Sequence, residues 1–64
     1  MLDKIIDLII DEFKANKDYL VEAKNTDNTI ARKVFEEIAR DEEEHSKKLV
    51  QLFISLNLEQ GSRR

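Results

Sequence analysis

A chain of 64 residues with no Cys, no Pro and a single Gly is one small domain, too short for its own core to supply more than about 3–5 kcal/mol of stability, so it needs a metal ion, a partner subunit or both. The absent cysteines exclude disulfides, thiolate metal sites and iron–sulfur centres within this chain. Both signs of charge are interspersed among 39% charged and 41% hydrophobic residues, the composition of long exposed helices. A net charge of −3 with no basic cluster before Arg63-Arg64 argues against a nucleic-acid partner. The longest apolar run of the N-terminal region, Leu8-Ile9-Ile10, is too short for a signal peptide or a membrane span, so a cytoplasmic protein is expected.

Residues 2 to about 24 carry Leu2, Ile5, Ile6, Ile9, Phe13, Leu20 and Ala23 at three- and four-residue spacings, with Asp3, Asp7, Asp11, Lys14, Asp18 and Glu22 opposite. This predicts an amphipathic helix. One carboxylate breaks the pattern. Glu12 falls on the apolar side beside Ile9 and Phe13, between Ile5 and Tyr19, and Asn16 shares that side one turn on. A solitary Glu there more often extends its carboxylate past the stripe into water.

Residues 25–28 form the predicted turn, with Asn25 suited to a left-handed C-cap and Thr26, Asp27 or Asn28 as N-cap of the next helix. So short a break makes an antiparallel hairpin. The second helix is predicted from about 28 to about 58, with a flexible tail at 59–64. Its apolar stripe begins with Ile30, Ala31, Val34, Phe35 and Ile38 and resumes with Leu49, Leu52, Phe53 and Leu56. Between them the same side holds Asp41, Glu42 and His45, while Glu36, Glu43 and Glu44 stand four residues before Arg40, Lys47 and Lys48 as outward pairs.

A turn centred between Asn25 and Asn28 sets Glu12 beside this polar gap. Glu42 and His45, three apart on one helix face, can reach a common ion. For His45 the alternative is a core histidine hydrogen-bonded to Glu12 or Asp41. Three ionisable groups crowded among apolar residues would cost several kcal/mol without a cation, which favours Glu12, Glu42 and His45 as metal ligands. Carboxylate oxygen with imidazole nitrogen suits iron, manganese or zinc, and the acidic majority favours iron or manganese. A hairpin cannot cover its own stripe, and three ligands are half a set. A homodimer answers both, making an all-α four-helix bundle with one Glu from each of two helices and Glu-x-x-His from each of the others, the inventory of a di-metal carboxylate site.

With Glu12, Tyr19 seven residues later, the short polar turn and Arg40-Asp41-Glu42-Glu43-Glu44-His45, the chain resembles the ferritin-like and rubrerythrin superfamily, most closely the short encapsulated ferritins with half a bundle per subunit. The resemblance implies a di-iron centre across the dimer, with Glu12 and Glu42 bridging or chelating, His45 a terminal ligand and Tyr19 a neighbour of the site. It implies a ferroxidase that oxidises Fe(II) for iron storage or detoxification, with an encapsulin shell as partner and a nanocompartment as location. The chain departs from that likeness after Leu58, where no targeting stretch is found, and it lacks the Cys-rich module of full rubrerythrins. Alternatives are a rubrerythrin-like peroxidase with an external reductant, and a non-enzymatic helical dimerisation module whose inward polar residues set register.

Overall fold

The computed structural model describes residues 1–62, with side chains described as far as Gln60. It is an all-α antiparallel hairpin of α1 (Leu2–Asn25) and α2 (Thr29–Ser62), with no strand among the described residues. The two helices lie side by side in a plate of 55 × 15 × 11 Å.

The seam between the helices is made of small residues. Ala23, Ala39 and Ser46 are almost wholly buried together with Ile5. Side chains this short bring the two backbones close, and a polar bond exploits the approach: Asn16 Nδ2 donates to the Ala39 carbonyl at 2.6 Å. The partner of Asn16 lies two residues beyond the position 37 that a turn centred between Asn25 and Asn28 would set opposite it. Part of the reason is that α1 runs on through Asn25 and α2 starts at Thr29, which centres the turn on Asp27 and accounts for one of the two residues.

The turn is held by its polar residues. Asn28 is the N-cap: its Oδ1 accepts from the Ala31 amide at 2.8 Å, and its own amide donates to Thr26 Oγ1 at 3.2 Å. Asn25 remains helical instead of taking the left-handed cap. The chain leaves α1 through Thr26 in extended conformation, φ −98° and ψ 139°, and no described residue has positive φ. Arg32 makes this exit workable, since its guanidinium donates to the Ala23 and Thr26 carbonyls at 3.2 and 2.7 Å. Those oxygens lack intrahelical partners at a helix end, and a cation there also suits the helix dipole.

The tail differs from expectation. Helix α2 continues through Gln60 to Ser62 where the composition predicts a stop near Leu58. No Pro interrupts it, and the single Gly61 costs only about 1 kcal/mol in a helix; Arg63 and Arg64 lie outside the described residues. Glu44 pairs with Lys47 at 3.5 Å, three residues on, in place of Lys48. The apolar stripes are only part-covered, with Phe13 55%, Leu20 49% and Leu52 45% exposed. No helix of the described residues is long and apolar enough to cross a membrane.

Candidate metal centre

The seam that packs Ile5 and Ala23 at either end carries polar residues at its middle. Glu12 projects from α1 and Glu42 and His45 from α2, and one donor atom of each lies within 4.8 Å of the other two. His45 Nδ1 is 3.6 Å from Glu12 Oε2 and 4.0 Å from Glu42 Oε2. These separations exceed a hydrogen bond. They leave room for an ion between the atoms.

Burial is graded across the group. Glu12 and Glu42 are half-buried, while 55% of the His45 side chain is exposed. Helix packing fixes the carboxylates, and the imidazole stands at the open edge. Glu12 Oε2 is itself buried without any hydrogen-bond partner. An acceptor left so is costly, and native structures seldom tolerate it without a water or an ion.

The two carboxyls also compete for charge. The Glu12 carboxyl beside it raises the Glu42 pKa above its ordinary 4.5, burial and the negative charge of Asp41 add to this, and His45 opposes it. Two like-charged carboxylates in one site hold a proton more tightly than either would alone. A divalent cation removes that conflict. The donor set, two carboxylate oxygens and one imidazole nitrogen, fits iron or manganese, and zinc is also compatible.

All three residues singled out by spacing are therefore brought together by the hairpin. Asp41 is exposed, and its charge is felt at Glu42. Tyr19 lies on the same side of α1 about two turns from Glu12, its ring 6.3 Å from that of Phe35 at 34°. Ser46 was not evident from the pattern. It is 2% exposed beside His45, and its hydroxyl donates to the Glu43 carbonyl at 2.7 Å. Its small size, at seven-residue spacing from Ala39, was the available signal.

No curated protein and no solved structure matches the chain at a significant level. The rubrerythrin family model matches residues 7–64, which takes in most of α1, the turn, all of α2 and all three donors, and the chain belongs to the rubrerythrin family.

Proposed function

We propose that two copies of the chain close over the face carrying Glu12, Glu42 and His45 into a four-helix bundle, and that the completed site oxidises Fe(II) to Fe(III) for iron storage or detoxification. The observation that carries this reading is the buried Glu12 Oε2, which has no hydrogen-bond partner, grouped with donor atoms of Glu42 and His45. The exposed flank of the same face, with Val34 and Leu52 uncovered in the single chain, supports the pairing, since a hairpin alone leaves that apolar surface in water.

Two Fe(II) ions are the substrate. Each gives one electron to a dioxygen molecule, which takes up two protons and departs as hydrogen peroxide. Four carboxylates from two chains neutralise two divalent cations and favour the higher charge of the product. His45 binds through the Nδ1 lone pair, and its position at the open edge leaves an approach for the oxidant. Glu42 must yield its proton before it can bind a metal, so uptake strengthens as pH rises.

Membership of the rubrerythrin family favours a second reading, a peroxidase supplied by an external reductant. Anaerobic loading with Fe(II) followed by separate pulses of O₂ and H₂O₂ divides the two. Accumulating Fe(III) supports the ferroxidase; sustained peroxide consumption with a reductant and no net Fe(III) overturns it. The paired change Glu12→Leu with Glu42→Leu tests the site itself. Iron binding and oxidation are expected to vanish while the helices remain, and retained iron binding would count against these ligands.

A further inference from the structure

The face of the plate opposite the metal group carries a second organised surface. His45 and Lys47 are two positions apart on α2, which turns their side chains about 160° from each other at 100° per residue. On the Lys47 side a groove of about 460 Å³ runs between the helices, with Phe13 on one wall and Glu36, Arg40 and Glu43 on the other. A second groove of about 340 Å³ continues it past Phe13, Glu43 and Lys47. None of the three metal-group residues lines either groove.

Two features distinguish this surface from an ordinary solvated face. Phe13, common to both grooves, is 55% exposed. Beside it the stripe Glu36, Arg40, Glu43, Lys47 recurs at spacings of four, three and four, with alternating sign. Glu36, Arg40 and Glu43 make no ion pair among the described residues, although spacing alone would pair Glu36 with Arg40, and Lys47 turns away to Glu44. The order of charges inverts about the midpoint between Arg40 and Glu43. Laid antiparallel on a copy of itself, the stripe sets Glu36 opposite Lys47 and Arg40 opposite Glu43, each twice, with no like charges opposed.

We propose that this face is a second interface between copies of the chain, an isologous contact in which α2 lies antiparallel to α2 of another copy about a two-fold axis midway between Arg40 and Glu43. Phe13, which borders Arg40 in one groove and Lys47 in the next, then lies near that axis. The arrangement is an aromatic centre rimmed by complementary charges, the usual anatomy of a specific interface. Isologous contacts require such self-complementarity. Charge pairing between e and g positions sets partner and orientation in coiled coils by the same physics. The proposal does not depend on the metal reading, because the two faces share none of these residues. With both contacts in use, the assembly is a tetramer or larger.

Charge reversal tests it by solution mass. Arg40→Glu sets a carboxylate opposite the Glu43 carboxylate twice and is expected to lower the mass at least twofold, whereas Arg40→Glu with Glu43→Arg restores the wild-type mass. Lys47→Glu, and its combination with Glu36→Lys, should repeat the pattern, with helicity by circular dichroism unchanged throughout. Binding of Co(II) is measured on the same samples. Unaltered Co(II) binding in the smaller Arg40→Glu species supports a contact separate from the metal face; mass rescue without any Co(II) binding leaves this interface standing and removes the metal reading. An Arg40→Glu variant with wild-type mass, or a double reversal that stays small, overturns the proposal.

Discussion

Glu42 is the residue at which folding and chemistry pull against each other. Its carboxyl is held above the ordinary value of 4.5 by Glu12, by burial and by neighbouring negative charge. A raised folded-state value means the folded chain keeps a proton that the unfolded chain has released. The associated stability is fully present below about 4.5 and is lost as pH rises through the raised value. The metal-free protein is therefore expected to melt at lower temperature as pH climbs out of the acidic range, and Glu42→Gln to flatten that decline. Calorimetry of both proteins across pH checks it, and an equal slope in the two would be contrary. Glu12 and His45 were legible in the sequence because a charge on an apolar stripe is visible from spacing alone. The exposure of His45 was not, since spacing gives direction on a helix and says nothing of how much of a side chain a neighbour covers.

At the scale of the helices, the turn determines where the donors meet. Asn28 caps α2 and Arg32 closes the carbonyl end of α1. Asn28→Ala is expected to cost about 1 kcal/mol, a fall in melting temperature of about 4–8 °C for a domain this size. A thermal melt of the two proteins measures it. Both helices and the hairpin could be read from periodicity. Their ends could not, because three residues of the turn were equally good caps, and the end of α1 is held by Arg32, a tertiary contact made nine residues from Ala23. The run of α2 to Ser62 has the same explanation: one Gly is a weak stop against a helix already propagating.

For the whole molecule, the consequence is a chain that leaves much of its apolar surface uncovered. Among the described apolar residues only Ile5, Ala23 and Ala39 are buried, while Phe13, Leu20, Val34 and Leu52 are each more than 40% exposed. Metal that binds only the folded form adds stability by mass action, about 2.7 kcal/mol at a hundredfold excess over its dissociation constant. Saturating Fe(II) under anaerobic conditions should accordingly raise the melting temperature by about 10 °C or more, and no such rise is expected for Glu12→Leu with Glu42→Leu.

The bond from Asn16 to the Ala39 carbonyl acts as a bolt through the hairpin, one turn from Glu12. Sliding one helix along the other would break it and would drive Ala39 and Ser46 out of a seam that admits only small side chains. Helix sliding belongs to the microsecond-to-millisecond range, whereas rotation of an exposed side chain takes picoseconds to nanoseconds. With the bolt in place, rotation of the half-exposed His45 side chain is the fast motion at this edge of the hairpin, while the backbone beneath it keeps its register.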